Sequence, residues 1–218
     1  VRPTTKLKQS KINNSNYFLL NSLLNKNYIS KRFLGNLSDN YKKVENNLLK
    51  NISKFNMIIT TGGASVGDED HLVKALENNG KIFFWRAAIK PGRPIAVGKI
   101  QNTFIVCLPG NPVSVQLLYA FIVKPLILKL LGAPLLKISA EKLKTNFSMI
   151  KKTKRLEWLR VSKKFIKNEY VIVKHPKQGS GMISSISYSD GIVEIPEHVS
   201  SIKKGDTVDY YDFDKLFS

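Results

Sequence analysis

The residues of this sequence best suited to chemistry lie in glycine-containing loops flanked by charged side chains. The first loop is Thr61-Gly62-Gly63-Ala64-Ser65-Val66-Gly67-Asp68-Glu69-Asp70, which follows an apolar run. Because glycine lacks a Cβ atom, the backbone of such a loop can approach a ligand closely. Carboxylates beside an anion-accepting loop suit Mg²⁺ that bridges to phosphate. The loop therefore predicts a phosphate site, and the alternative is a tight turn whose acids favour the positive end of the next helix.

Two further rigid loops follow along the chain. The second loop is Lys90-Pro91-Gly92-Arg93-Pro94, preceded by Arg86, and the third loop is Leu108-Pro109-Gly110-Asn111-Pro112. The residue before a proline is held extended, so Lys90 is a point charge on a stiff unit that suits an oxyanion. The third loop leads into a helix N-terminus, which is a natural anion site. A solvated strand edge for the second loop and an ordinary capped turn for the third remain equally open.

Nucleophilic catalysis and histidine or cysteine metal sites are not indicated. His71, His175 and His198 lie far apart without paired spacing. Cys107 is the single cysteine, so neither an intrachain disulfide nor a cysteine metal cluster can form. Neither Ser65 nor Cys107 has a histidine nearby in sequence that could act as its base.

Hydrophobic periodicity and capping residues predict the elements that position the three loops. Helices are predicted after Asn14-Ser15-Asn16, after Ser38-Asp39, over residues 71–79 and from Asn111-Pro112 to Gly132. Strands are predicted over residues 57–60, 82–85, 95–98 and 104–108. Each loop then lies at the end of a strand-like segment, as expected of a ligand site on an α/β sheet.

Beyond about residue 136 the pattern changes to short alternating runs separated by glycine and charged turns. These runs cover residues 157–161, 170–173, 192–196 and 207–210, which is typical of a small all-β domain. We therefore predict an α/β domain over residues 1–134 and a small β domain over residues 135–218. The segment Gln178-Gly179-Ser180-Gly181 is either a flexible, hydrogen-bonding loop of the second domain or a hairpin turn.

Composition narrows the class of protein. The chain has 218 residues, a hydrophobic share of 43% and a formal net charge of +19. The lysines are scattered among asparagines and isoleucines, and the dense run at residues 151–155 lacks interleaved aromatic residues, so nucleic-acid binding is not expected. Lys124, Pro125 and Lys129 interrupt the most apolar segment, so a membrane span is not expected either. We expect a cytoplasmic protein whose positive field steers a small anionic ligand.

Taken together, the motifs resemble the molybdopterin molybdenumtransferase family, which comprises the bacterial MoeA proteins and the E domain of gephyrin. The resemblance rests on the motifs Thr61-Gly62-Gly63-Ala64-Ser65-Val66-Gly67-Asp68, Phe84-Trp85-Arg86-Ala87-Ala88-Ile89-Lys90-Pro91-Gly92-Arg93-Pro94, Leu108-Pro109-Gly110-Asn111-Pro112-Val113-Ser114 and Gln178-Gly179-Ser180-Gly181-Met182, with Ile195-Pro196-Glu197. The three central motifs keep the family's order and spacing. The match runs from about Ile12 over nearly the whole chain.

This resemblance implies a fold and a reaction. The fold is a MogA-like molybdopterin-binding domain, an α/β three-layer sandwich, followed by a small all-β, barrel-like domain. The reaction is the insertion of molybdate into adenylylated molybdopterin with release of AMP, assisted by Mg²⁺. The resemblance also implies a homodimer of the full-length form, a molybdopterin adenylyltransferase as partner, and a chain that is the C-terminal portion of a longer protein.

The resemblance also assigns roles to residues. Asp70 and Asp39 match family acids and are the expected metal ligands. Arg86 and Lys90 stand where the family has lysines that meet the oxyanion or the ligand's phosphates, and these four residues are the expected catalytic group. The expected substrate-binding residues are Gly62, Gly63, Ser65, Gly67, Asp68, Pro91, Gly92, Arg93, Pro109, Gly110, Asn111, Ser180 and Arg155.

The sequence departs from the family pattern at several positions. Thr4-Thr5-Lys6-Leu7 stands where the family has Gly-Asp-Glu-Leu, so an acid pair is replaced, and Asn14-Ser15-Asn16 stands for Asp-Ser-Asn. Arg86 and Arg93 replace lysines, which keeps the charge but changes its geometry. Three hypotheses follow: a molybdenum-insertion enzyme, a catalytically impaired molybdopterin-binding module, and a molybdopterin adenylyltransferase.

Overall fold

A computed structural model describes residues 13–63, 70–134, 138–152 and 154–218. The helices are α1 Ser15–Leu23, α2 Tyr41–Asn51, α3 His71–Asn79, α4 Pro112–Leu118, α5 Lys124–Leu130, α6 Ser184–Ser187 and α7 Phe213–Phe217. The strands are β1 Met57–Thr61, β2 Lys81–Trp85, β3 Ile89–Lys90, β4 Ala96–Ile100, β5 Thr103–Leu108, β6 Glu141–Thr145, β7 Met149–Ile150, β8 Leu156–Ile166, β9 Glu169–Lys174, β10 Gly191–Ile195, β11 Ser201–Ile202 and β12 Thr207–Asp212. A single 3₁₀ turn at Ile52–Lys54 and a π-helical turn at Tyr119–Val123 complete the described elements.

Contacts divide the chain into two compact units. Unit 1 comprises Val1–Trp85 and Pro94–Gln116, and unit 2 comprises Arg86–Arg93 and Leu117–Ser218. The residues around Lys90 therefore belong to the same unit as the β-rich C-terminal part, which their position in sequence does not suggest. The domain boundary between residues 134 and 135 stays a prediction.

Unit 1 is built on a mixed sheet whose strand order, within the described residues, is β1-β5-β4-β2. β1 runs parallel to β5, and β4 is antiparallel to both β5 and β2. Residues on one face of this sheet, including Ile58, Ile105 and Cys107, pack with the apolar faces of α2 and α3. This burial follows from the two periodicities, because alternate strand residues meet helix residues spaced three or four apart. The predicted α/β domain is thus confirmed.

The predicted helix starts in unit 1 are explained by their caps. The side chains of Asn14, Asn40 and Asp70 accept hydrogen bonds from the backbone N–H groups of Tyr17, Lys43 and Val73, respectively. Such caps satisfy N–H groups that have no partner inside the helix. The second helix begins after Asn40 rather than directly after Ser38-Asp39, because Asn40 supplies the capping oxygen.

Unit 2 contains a closed barrel among its described strands. β8, β10, β12, β6 and β9 are paired in this order, and β9 pairs back with β8. The ring closes because β8 is long: Leu159 and Val161 pair with β10, while residues 161–166 pair with β9. Closure removes free strand edges, which protects a small β domain from edge-to-edge association. The predicted barrel-like domain is confirmed.

The segment Pro112–Leu130 is the one helix in the described part of the chain that is long and apolar enough to cross a membrane by length and composition. The core helix of a soluble protein passes the same test, and this segment is interrupted by Lys124, Pro125 and Lys129. The expectation that the protein does not span a membrane stays a prediction.

Candidate ligand-binding site

In unit 1 the first and third loops meet at the carboxyl ends of two parallel strands. β1 and β5 end side by side at Thr61 and Leu108, and the Gly62 N–H donates to the Leu108 carbonyl over 3.0 Å. A Cβ atom added to Gly110 would lie 3.7 Å from the Gly62 Cα. The two loops are therefore in backbone contact, at the edge where open α/β sheets bind ligands.

The backbone conformation explains why the first loop begins with glycine. Gly62 has φ +78° and Gly63 has φ +75°, a region that residues with a side chain adopt at a cost. No atom of residues 13–63, 70–134, 138–152 or 154–218 lies within 4 Å of a Cβ position at Gly62. None of the described side chains therefore blocks the approach of a ligand to this backbone.

Asn16 on α1 supports the third loop, and its role was not predicted. Its Nδ2 donates to the Gly110 carbonyl over 2.7 Å, and its side chain is buried. Its Oδ1 is buried without a hydrogen-bond partner among the described residues. The sequence signal was the match of Asn14-Ser15-Asn16 to a family motif. The same motif also predicts the start of α1, and that local role does not indicate a contact with the third loop.

The two predicted metal ligands lie at the N-terminus of α3. Asp70 is buried, and its Oδ1 caps the helix by accepting from the Val73 N–H over 3.2 Å. Asp39 is exposed, and its Oδ1 lies 3.6 Å from Nε2 of His71, the residue after Asp70. The structure therefore brings both acids to the same helix end through His71.

The donor chemistry of this pair is compatible with Mg²⁺. Magnesium is bound in many enzymes by one or two carboxylates together with substrate phosphates. Within residues 13–63, 70–134, 138–152 and 154–218, no cluster of three or more histidine, cysteine or acidic side chains could hold a metal by itself. The predicted residues Ser65, Gly67 and Asp68 lie outside the described residues. The Mg²⁺ site stays a prediction.

In unit 2 the second loop is shaped by backbone pairing with β8. β3 pairs in parallel with β8 so that Lys90 is opposite Glu157, and the Leu156 N–H donates to the Ala88 carbonyl over 2.9 Å. The Ala87 N–H donates to the Arg93 carbonyl over 3.0 Å, which closes the loop. The Lys90–Pro91 peptide bond is cis.

The predicted cations of this loop differ in their surroundings. Arg86 and Arg93 are exposed, whereas Lys90 is half-buried and its Nζ lies 2.7 Å from Oε1 of Glu157. Pro91 and Gly92 are buried, and a Cβ at Gly92 would meet Ile89 and Leu118 at 3.2 Å. The buried Pro-Gly step thus anchors the loop, while the cations occupy its outer part.

Arg155 and Ser180, the predicted ligand-facing residues of the β domain, are both partly exposed. The Arg155 Nη1 donates weakly to the Ile89 carbonyl over 3.5 Å, which ties it to β3. Ser180 lies between Gly179 and Gly181 in a segment held by the buried side chain of Arg160.

Arg160 is the main residue of this region that sequence reasoning missed. Its guanidinium donates to the Ser185 hydroxyl over 3.2 Å, to the Trp158 carbonyl over 3.1 Å and to the Gly179 carbonyl over 3.5 Å. Only 1% of Arg160 is exposed. Burial lowers the pKa of Arg160 to about 10, and the nearby Glu157 carboxylate opposes that shift, so the side chain stays charged at neutral pH.

Gln178, the residue before Gly179, adds further hydrogen bonds that hold this segment. The Arg160 N–H donates to the Gln178 side-chain oxygen over 3.0 Å, and the Gln178 amide donates to the Arg160 and His175 carbonyls, each over 2.8 Å. The segment that includes Ser180 is therefore tied by hydrogen bonds to Arg160 on β8.

Lys151, at the start of the dense basic run, is structural rather than solvated. It is buried, and its Nζ donates to the carbonyls of Arg155, Pro196 and Glu197. Three acceptors satisfy all three ammonium donors. This part of the run is therefore not available to a polyanion.

Cys107 on β5 is unsuited to nucleophilic catalysis. It is fully buried, and burial raises its pKa to about 12, with the Asp70 charge adding to the shift and a hydrogen bond with Thr60 opposing it. A neutral, inaccessible thiol is inert.

Comparison with known proteins agrees with the fold. Residues 4–129 match the family model described as the probable molybdopterin binding domain, and residues 142–213 match the MoeA C-terminal region, domain IV. The chain belongs to the MoeA family.

Several relatives share this similarity. A molybdopterin molybdenumtransferase of Haemophilus influenzae is 40% identical over 126 residues, which cover 58% of this chain and 31% of that protein. A molybdopterin molybdenumtransferase of Staphylococcus epidermidis is 27% identical over 206 residues, covering 93% of this chain and 49% of that protein. A solved MoeA structure from Pyrococcus horikoshii aligns with a TM-score of 0.79 at 28% identity, covering 98% of this chain and 51% of that chain. The chain thus spans about half or less of the length of these relatives.

Proposed function

We propose that this MoeA-family protein inserts molybdate into adenylylated molybdopterin and releases AMP. The observation that carries the proposal is the hydrogen bond from the Gly62 N–H to the Leu108 carbonyl, which joins the first and third loops at the carboxyl edge of β1 and β5. This edge belongs to the part of the chain that matches the molybdopterin-binding domain. Relatives named molybdopterin molybdenumtransferase support the choice of reaction.

The glycine loops of unit 1 supply the close approach to the ligand. The first and third loops are joined by the Gly62–Leu108 hydrogen bond, and the Asn16 amide supports the Gly110 carbonyl. Among the described residues, no side chain lies within 4 Å of a Cβ position at Gly62 or Gly110. Backbone N–H groups in such a loop bind phosphate oxygens without reorganisation. In this proposal Pro109 stiffens the third loop, and Asn111, whose carbonyl accepts from the Val115 N–H, leads into the helix that follows.

Unit 2, taken by itself, offers positive charge to an anionic part of the substrate. Molybdate is a dianion and the ligand carries phosphates, and like charges a few ångströms apart repel strongly where water is scarce. Lys90 and Arg93 on the second loop, with Arg155 just before β8, would supply the positive charge in this unit. Arg86 and Ser180 would add hydrogen-bonding groups to it.

Asp39 and Asp70 would hold Mg²⁺ in this reaction. Such an ion would supply the charge neutralisation that cleavage of the phosphoanhydride requires, in which an oxygen nucleophile forms a new P–O bond as the old one breaks and AMP leaves. Asp70 is suited to the inner position because it is buried at the end of the first loop, and Asp39 to the outer position because it is exposed.

The reaction is tested by supplying the protein with adenylylated molybdopterin, molybdate and Mg²⁺ and measuring AMP by chromatography. We expect AMP release that depends on molybdate. No AMP release would overturn the proposal. Ligand binding without AMP release would favour the impaired binding module, which the replaced acid pair at Thr4-Thr5-Lys6-Leu7 motivates.

The remaining expectations are proposals of the same kind. An adenylyltransferase would instead adenylylate molybdopterin from ATP, and the same assay with ATP and molybdopterin distinguishes that activity. We also propose that the full-length form is a cytoplasmic homodimer that receives its substrate from a molybdopterin adenylyltransferase. Equilibrium sedimentation of that form tests the dimer.

A further inference from the structure

We propose that Glu157 is a positioning residue that holds the ammonium group of Lys90 where that group meets an anionic ligand. The inference rests on the proposed function, because it concerns the anion that the second loop binds. It adds a residue that none of the sequence motifs includes.

The backbone places the two side chains opposite each other. Lys90 and Glu157 are direct partners in the parallel pairing of β3 with β8, next to the pair Ile89 and Leu156. The hydrogen bond from the Leu156 N–H to the Ala88 carbonyl continues this pairing. The meeting of the two charges is therefore set by strand register and not by the chance orientation of two long side chains.

The environment of the pair is asymmetric. Nζ of Lys90 lies 2.7 Å from Oε1 of Glu157, with 5% of the glutamate side chain and 40% of the lysine side chain exposed. A buried carboxylate needs a cation beside it, whereas the ammonium has three donors and, among the described residues, directs one of them to Glu157. The outer side of Lys90 can thus serve an anion while its inner side stays fixed.

The second oxygen of Glu157 argues against a purely structural pair. Oε2 is buried without a hydrogen-bond partner among the described residues, a costly state for a carboxylate. Arg160 is near enough to interact with the Glu157 charge, but its own donors go to Ser185, Trp158 and Gly179. Glu157 thus interacts with two cations, of which Lys90 is the partly exposed one and Arg160 the buried one.

A second ion pair in unit 2 offers a matched control. Nζ of Lys163 lies 2.9 Å and 2.8 Å from the two oxygens of Glu141, with 25% and 42% of these side chains exposed. This pair satisfies both carboxylate oxygens, as an ordinary surface pair does, and such pairs contribute little to stability. Glu141→Gln therefore makes the same chemical change as Glu157→Gln away from the second loop.

The pairing itself is tested without any ligand, by the rate at which an amine-acylating reagent labels Lys90, followed by mass spectrometry. We expect Glu157→Gln to raise this rate by roughly threefold or more, because the nitrogen loses a charged acceptor. Glu141→Gln should leave the labelling of Lys90 unchanged. An unchanged labelling rate in Glu157→Gln would overturn this inference and leave the proposed function untouched.

The positioning role is tested by a double-mutant cycle on the dissociation constant of adenylylated molybdopterin in the presence of molybdate. We expect Glu157→Gln to weaken binding about tenfold, a coupling typical of contacting residues. In a Lys90→Ala background the same change should have no further effect, because Glu157 acts through Lys90. Glu141→Gln should not change binding.

The outcomes separate this inference from the proposed function. If the wild-type protein binds the ligand and the two changes are additive, the inference is overturned and the proposed function stands. If the wild-type protein does not bind the ligand, both are overturned. If Glu157→Gln does not fold, Glu157→Asp replaces it in both tests, since it keeps the charge and withdraws the carboxylate by one methylene group.

Discussion

The two units present their loops by opposite means. In unit 1 the first and third loops meet through backbone atoms, because the Gly62 N–H donates to the Leu108 carbonyl, and none of the described side chains lies within 4 Å of a Cβ position at Gly62. In unit 2 the loops are held by buried charged side chains. Glu157 forms an ion pair with Lys90, and Arg160 donates a hydrogen bond to the Gly179 carbonyl. A loop that a ligand must approach closely needs glycine at a sheet edge, whereas a loop that aims a cation needs a buried counter-charge behind it.

This difference implies different sensitivities. Unit 1 should respond to added side-chain atoms and to the loss of caps, whereas unit 2 should respond to the loss of charge. The following variants test the contrast, beginning with the largest expected effect.

Replacing Arg160 should have the largest effect. Arg160→Met leaves the Trp158 and Gly179 carbonyls without their donor and removes a cation near the buried Glu157, which should lower the free energy of unfolding by about 3–5 kcal/mol. Arg160→Lys keeps the charge but not the planar guanidinium group, so the decrease in its free energy of unfolding should be intermediate. Urea denaturation measures both. A loss below about 1 kcal/mol for Arg160→Met would show that buried charge does not organise unit 2.

Asp70 in unit 1 combines a structural and a proposed chemical role, and Asp70→Asn separates them. Asparagine caps helices as well as aspartate does, so stability should change by less than about 0.5 kcal/mol. AMP release should fall about 100-fold because the charged metal ligand is lost.

The control for Asp70 is Asp212→Asn, which makes the same change at the N-cap of α7. We expect it to leave AMP release unchanged in the same chromatographic assay. If AMP release is also unchanged in Asp70→Asn, Asp70 acts only as a helix cap. The proposed role of its carboxylate in the reaction would then be wrong.

Alkaline pH should destabilise unit 1 through Cys107. Burial raises the pKa of this thiol from 9.0 to about 12, so the folded state keeps a proton that the unfolded state loses. Stability should therefore fall as pH rises from about 9 to 12, with a slope of up to about 1.4 kcal/mol per pH unit.

The variant Cys107→Ala isolates this contribution. It should be less stable at neutral pH, because it leaves a small cavity, but its stability should fall less steeply above pH 9 than that of the wild type. Urea midpoints measured across this pH range provide the two slopes. Equal slopes would mean that the thiol ionises in the folded protein and that the core under β5 admits solvent.

The smallest expected effect concerns the backbone of the first loop. Gly62 has φ +78° and open space at the Cβ position, so Gly62→Ala should cost about 1 kcal/mol through backbone strain alone. Gly35, with φ +98° and similarly open space, is a matched glycine of unit 1 outside the loops.

Both glycine variants should lower the thermal midpoint by a similar amount. Only Gly62→Ala should also weaken binding of adenylylated molybdopterin, as measured by calorimetry. If Gly35→Ala weakens binding equally, the weaker binding results from lower stability. The proposal that the ligand approaches the backbone at Gly62 would then be wrong.

Much of unit 1 could be predicted because its signals are local. The caps at Asn14 and Asp70 lie next to the helices that they start, and the glycines lie directly after the strands that they end. The short strand β3 was not predicted, because two residues beside a proline carry no periodicity.

Buried charges could not be predicted by the same reasoning. Glu157 and Arg160 occur in a run that reads as an ordinary alternating strand, and Lys151 begins what looks like a solvated basic run. Each is buried because a partner from a distant part of the chain satisfies it: Lys90 for Glu157, Ser185 and Gly179 for Arg160, and Pro196 and Glu197 for Lys151.

By itself, the sequence determined the main helices and strands of unit 1, the loops at their ends, the all-β character of the C-terminal part, and the resemblance of the loops to one family. These features depend on residues a few positions apart, whose spacing and conformational preferences act locally. Only the tertiary structure decided that the second loop belongs to the same unit as the barrel and that Glu157 faces Lys90. Strand register between distant segments sets which charges meet, and no local pattern encodes that register.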